Sequence, residues 1–315
     1  MRESILYLLV GAGSFVQAGS GWWDVFSHRI EFVDFDPWWN PAHTGLYAGA
    51  LLILLAVLRA SKTGTSYAWL HAIKAAALLQ LVAGGLNEVV HRVPSLEAYL
   101  DFTVHSLFTL GMLIIALTLF TGLSIHSTLV GRMHGAVIAA LILSGGSLWL
   151  VSSGSVMYLF SSNPAFVLAL LAFISSTITI TAVSAVGAAG VSFLVWLAYV
   201  AAVYAVFVGY AGEPPYIPLG VASVIAAEAA IRVAARKHRE VLGMFIGGAL
   251  LGAALRLTYY PLTEYYYRLY GGGVDFLAAG LLGGLAGNIL IMVGGKILIE
   301  RGVLPYPHES GRRAM

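Results

Sequence analysis

His28 and His43, with the carboxylates Asp24, Glu31, Asp34 and Asp36, crowd into the stretch from Trp22 to Tyr47 of a chain whose charged residues make up only 10%. Imidazoles with flanking carboxylates are the donor set of a nitrogen/oxygen metal site, and paired imidazoles alone can carry haem. A similar set returns 63 positions later. Asn87 falls over Asp24, His91 over His28 and Arg92 over Arg29; His105 then falls over His43 and Gly111 over Gly49, at an offset of 62. The shared pattern is [DN]-x3-H-R-[IV], a loop, then H-[ST]-x4-G. A degraded third copy is read at Asn163-Pro164-Ala165-Phe166, with Phe166 in the place of His43 and an offset of 61 from His105.

Helical spacing gives these residues partners. Asp24 and His28, and also Asp101 and His105, are four apart, so each pair shares a helix face if the helix runs through it; Glu88 and His91 are three apart. Asn40 and Pro41 read as N-cap and first helical residue, which sets His43 in the first turn of its helix. Each of the first four helices thus offers one histidine at a similar depth. His28, His43, His91 and His105 are the expected metal ligands, Asp24 a further ligand, and Glu88 and Asp101 ligands or holders of the imidazoles. The competing readings of the quartet are a structural hydrogen-bond network and a proton pathway. His71, His126, His134, His238 and His308 lack the repeated context and read as polar anchors at the opposite end.

The elements that must position these residues are membrane helices. Of 315 residues, 59% are hydrophobic, and apolar runs of about 20 residues, enough to cross a bilayer, fill nearly the whole length. The expected fold is all-α, a polytopic membrane bundle of about ten spans near 4–23, 42–60, 67–87, 98–121, 133–152, 164–185, 190–210, 216–233, 241–260 and 275–297. The first is read as a retained span rather than a secretory signal. Residues 1–122 form a tandem repeat of two hairpins carrying the histidines, and 123–315 form further hairpins, a scaffold or subunit interface. Like-oriented hairpins imply an axis along the membrane normal.

Most Lys and Arg fall at one set of helix ends and most acids at the other, which puts both termini in the cytoplasm and the histidine cluster towards the outer side of the cell membrane. A net charge of +2 gives no basic patch for nucleic acid, and the absence of cysteine excludes disulfides and thiolate metal sites. Gly243-x3-Gly247, Gly248-x3-Gly252 and Gly283-x3-Gly287 read as helix-packing patterns, and Tyr259, Tyr260, Tyr265, Tyr266, Tyr267 and Tyr270 as an interfacial belt. Glu228 and Arg232, four apart, read as a simple pair.

Asp24-x3-His28 followed by Asn40-Pro41-Ala42-His43 resembles the C subunit of the copper membrane monooxygenases, the particulate methane and ammonia enzymes. That subunit carries an Asp-x3-His and then a Pro-small-His, whose three side chains bind copper in the membrane. The resemblance implies copper on Asp24, His28 and His43.

The expectation is an integral membrane subunit of a redox complex, respiratory or monooxygenase-like, embedded in lipid and working with other subunits. Its metal is copper first, with zinc or iron as alternatives. One alternative function is a haem b electron-transfer subunit with His43 and His105, or His28 and His91, as axial pairs. The other is a proton- or metal-coupled transporter, against which stands the scarcity of ionisable residues at mid-span.

Overall fold

The computed structural model describes residues 3–31, 41–62, 68–130, 135–160, 178 and 190–211, with single helical positions at 225, 228–229, 232–233, 242, 246, 250, 282, 286 and 289. At 3, 25–31, 68, 124–130, 153–160 and 207–211 the description is of backbone alone. All regular structure among the described residues is helical: α1 (Glu3–Glu31), α2 (Pro41–Lys62), α3 (Ala68–Val90), α4 (Pro94–Val130), α5 (Gly135–Phe160) and α6 (Val191–Ala211). Among the described residues, five segments are long and apolar enough to cross a membrane, namely Ser4–Asp24, Pro41–Lys62, Trp69–Val90, Pro94–Leu123 and Gly135–Ser152. The degraded third copy and the glycine and tyrosine patterns from 243 onward lie outside the described residues, apart from the single positions named above.

Helix ends follow local chemistry. Pro41 opens α2 and Pro94 opens α4, where a missing backbone N–H costs nothing. The chain turns between α3 and α4 in three residues, His91 to Val93. Because α1 continues to Glu31, Asp24 and His28 do share one helix, although the side chain of His28 lies outside the described residues. At 37 residues α4 is about 55 Å long, well over the hydrocarbon thickness.

Two compact units divide the chain. The first comprises residues 1–123 and 134–155, so most of α5 packs with α1–α4. Its outward faces are as apolar as its core: Leu78, Val82, Leu86 and Val89 follow one exposed stripe of α3, and Leu51 and Leu55 one of α2. A helix polar on neither side suits a hydrocarbon solvent, in which close packing rather than hydrophobic burial holds neighbours together.

Glycine supplies that close packing. A Cβ on Gly49 would lie 2.4 Å from Gln17 Cγ and 2.7 Å from the Gly13 carbonyl oxygen. The backbones of α1 and α2 therefore touch directly. On α4, a Cβ on Gly111 would lie 2.5 Å from Gln80 Cγ and 3.1 Å from the Ala76 carbonyl oxygen. Gln17 and Gln80, both 0% exposed, meet between α1 and α3, Gln17 Nε2 donating to Gln80 Oε1 at 3.0 Å and to the Leu46 carbonyl at 3.2 Å. The two glutamines are 63 residues apart and the two glycines 62, the offsets at which the sequence copies align.

The second unit comprises residues 124–133 and 156–315. There Glu228 does pair with Arg232, Nε to Oε1 at 2.8 Å. The same carboxylate also caps α6, accepting from Gly190 N at 2.6 Å, from Ser192 N at 3.2 Å and from the Ser192 hydroxyl. Gly190 turns the chain into α6 with φ of 86°, a conformation that glycine adopts without a Cβ clash.

The contacts of Gly49 lead to a paired expectation for thermal unfolding in detergent. Gly49→Ala destabilises the protein by about 1–3 kcal/mol, because backbone atoms of α1 must move. Gly85→Ala, where an added Cβ meets nothing within 4 Å, is neutral or stabilising by up to about 1 kcal/mol through helix propensity.

Candidate functional site

At the end of the bundle where α1 finishes and α2 begins, the acids and imidazoles of four helices interleave. His43 is buried in the first turn of α2, 6% exposed. Its Nε2 lies 3.1 Å from Asp24 Oδ1 of α1, and its Nδ1 lies 3.2 Å from Glu88 Oε1 of α3. Asp24 is itself buried, 5% exposed, and its second oxygen faces His105 Nε2 of α4 at 4.0 Å. His105 Nδ1 is held by its own helix, 2.9 Å from the Asp101 carbonyl oxygen and 3.0 Å from Asp101 Oδ1. Asp101 Oδ1 is in turn 3.8 Å from His91 Nε2, and His91 Nδ1 is 3.0 Å from Glu97 Oε1.

Carboxylate and imidazole thus alternate from Glu88 through His43, Asp24, His105, Asp101 and His91 to Glu97. Four of the steps are at hydrogen-bond distance; the steps from Asp24 to His105 and from Asp101 to His91 are too long for a direct hydrogen bond. His91, Asp101 and His105 each offer a donor atom, all lying within 4.8 Å of one another, the reach of a single bound ion. The His91 ring stands 5.5 Å from that of His105 and 6.2 Å from that of His43, centroid to centroid.

One regularity runs through the three imidazoles of the cluster: each Nδ1 sits against an oxygen, and each Nε2 is turned towards Asp24 or Asp101. A metal-ligating histidine has this posture, one nitrogen fixed by an oxygen and the other presented to the ion. The pairing differs from the one that spacing along a single helix suggests. Glu88 is not the partner of His91 three residues on; it reaches across to His43, while Glu97 and Asp101 of α4 take His91. The reason is the helix end, since α3 stops at Val90 and His91 is carried round the turn towards α4. Arg92 bridges to Glu88 Oε2 at 3.2 Å.

Tyr47, Asn87 and Glu97 belong to the site but were not singled out from the sequence as site residues. The Tyr47 hydroxyl donates to Glu88 Oε1 at 2.8 Å. Asn87, the counterpart of Asp24 in the second copy, is 7% exposed and lines the pocket beside Asp24, His43 and His105. That alignment was the available signal for Asn87; Tyr47, four residues after His43, carried the signal of a shared helix face. Beyond these polar groups the pocket is walled by apolar side chains, among them Trp22, Phe108 and Met112.

Removing His43 leaves two acids that it now bridges, one of them buried. His43→Ala therefore lowers stability by about 3 kcal/mol, the order found when one partner of a buried charge pair is deleted. Arg92→Ala, at an exposed pair, costs about 0.5 kcal/mol or less. Thermal unfolding of the two purified variants in one detergent checks the contrast.

No family model, curated protein or solved structure matches the chain, so the functional reading rests on its own residues and their geometry.

Proposed function

We propose that this chain is an integral membrane subunit of a membrane-bound redox complex, respiratory or monooxygenase-like, that holds a transition metal among the ends of α1–α4. The observation that carries the reading is the posture of His43, His91 and His105, each with Nδ1 on an oxygen and Nε2 directed at a further carboxylate. Nitrogen and oxygen donors without thiolate suit copper first, then zinc or iron. Asp24 and His43 lie together as two of the three ligands that the resemblance to the copper monooxygenase C subunit implies, and His28 is the third by spacing.

In this reading His91, Asp101 and His105, whose donor atoms lie within reach of one ion, would hold it, His43 would add Nε2 from its place beside Asp24, and the Asp24 carboxylate would offset the ion's charge at low dielectric. Glu88 and Glu97 keep the rings of His43 and His91 in register. The apolar wall of the pocket limits water. A bound copper or iron would supply one-electron chemistry, and the electron donor and any oxidised substrate would come with partner subunits. The wider architecture proposed is about ten spans, a tandem hairpin repeat over 1–122, both termini cytoplasmic and the cluster near the outer surface. The matched Gly–Gln contacts of α1–α2 and α3–α4 support the repeat.

Haem b on His43 and His105 fits less well, because Asp24 turns one oxygen to the Nε2 of each ring. A carboxylate there competes for the space and charge that a porphyrin iron needs. A coupled transporter fits less well too, since the described ionisable cluster gathers at one end of the bundle.

Metal analysis of the full-length chain, purified in detergent and dialysed against Cu(II), decides between these readings. At least one tightly held equivalent is expected, with nitrogen hyperfine structure in the copper EPR spectrum and no haem absorbance in pyridine and alkali. His43→Ala and His105→Ala each weaken Cu(II) binding by about 100-fold or more, since losing even an outer partner of a ligand costs 10- to 100-fold. Wild-type protein that retains no copper, zinc or iron would remove the metal reading, and a haemochrome band would replace it with the haem one.

A further inference from the structure

We infer that Tyr47 is a positioning residue for this site, and that Gly84 is the notch that lets it act: together they hold Glu88 on His43 so that His43 presents Nε2 inward. The inference rests on the metal reading above for its consequence, but its geometry stands independently.

Glu88 is contested. Its side chain is one-third exposed, and Arg92, on the next turn and on the exposed side, takes Oε2 at 3.2 Å. Left to that pairing, a glutamate at a helix end would swing towards water, where its charge is best solvated. Two contacts oppose this. The Tyr47 hydroxyl donates to Glu88 Oε1 at 2.8 Å, and the same oxygen meets His43 Nδ1 at 3.2 Å. The carboxylate is thereby pinned between a phenol and an imidazole, and it can only accept, so the shared proton belongs to Nδ1. With its Nδ1 edge fixed on α3, the ring turns Nε2 to Asp24, 3.1 Å away.

Tyr47 reaches Glu88 only because α3 has no side chain at position 84. A Cβ there would lie 2.4 Å from Tyr47 Cε1 and 3.0 Å from Cδ1, so the ring lies against the bare backbone, and its hydroxyl also reaches the Gly84 carbonyl at 3.2 Å. Phe108 packs edge-on to the ring at 6.3 Å between centroids. His43 and Tyr47 are four apart on α2, and Gly84 and Glu88 are four apart on α3. Two adjacent helix faces thus build one four-membered device.

The test uses the full-length chain in detergent, with Cu(II) as the probe metal and 15N-histidine NMR of the metal-free protein. Tyr47→Phe keeps the ring and removes only the hydroxyl. It is expected to weaken Cu(II) binding about tenfold, the lower range for the loss of an outer-shell partner, and to shift the His43 Nδ1 resonance as Glu88 swings towards Arg92. Gly84→Ala, which displaces the ring, does the same. Adding Arg92→Ala to Tyr47→Phe removes the competing pull and restores part of the affinity, a rescue that a purely structural role for the tyrosine does not produce. An unchanged His43 Nδ1 resonance and affinity in Tyr47→Phe overturn the inference. Wild-type protein that takes up no Cu(II), with the Nδ1 resonance still shifted in Tyr47→Phe, overturns the metal reading and leaves the positioning role standing.

Discussion

Ionisable groups at the end of an apolar bundle must neutralise one another, and that requirement organises the rest of this structure. Asp24 and His43 are nearly excluded from solvent. Neither could stay charged there alone, because water that would stabilise the charge is absent. Alternating acid and imidazole answers the problem for every described member, since each group has the opposite type on both sides or at the exposed end of the chain. The array sets four carboxylates against three imidazoles, an excess of acid that suits a bound cation.

The array can form only if four helices hold their depth. Glycine against glutamine sets that depth twice, Gly49 on Gln17 and Gly111 on Gln80. A slide of one helical turn, about 5.4 Å, would bring side chains into these contacts and separate His43 from Asp24. The Gln17–Gln80 bond adds a directional lock between α1 and α3. In hydrocarbon such a lock contributes about 0.6–2 kcal/mol, modest in energy but specific in register. The Glu228 cap on α6 follows the same rule in the second unit, with one acid meeting an arginine, a hydroxyl and two backbone N–H groups.

Much of the candidate site was legible before the structure. His43, His91, His105, Asp24, Glu88 and Asp101 all lie in the array; copy-to-copy alignment marked the histidines and Asp24, while residue type and spacing to a histidine marked Glu88 and Asp101. The same alignment, carried seven residues upstream of Asp24, sets Gln17 over Gln80, a pair that its glycine and histidine landmarks passed by. Glu97 was less visible, because its partner His91 lies on the far side of a turn whose course the spacing alone does not reveal.

The sequence by itself determined that the chain forms apolar helices, where α2 begins, and which residues lie one turn apart on a given helix. Those are properties of local covalent geometry and of transfer between water and hydrocarbon. Only the tertiary structure decided that Glu88 serves His43 rather than His91, that Asp24 stands between His43 and His105, and that Tyr47 rests on Gly84. Rotation and approach between helices depend on which small residues let two backbones touch, and that is settled by packing all the surfaces at once.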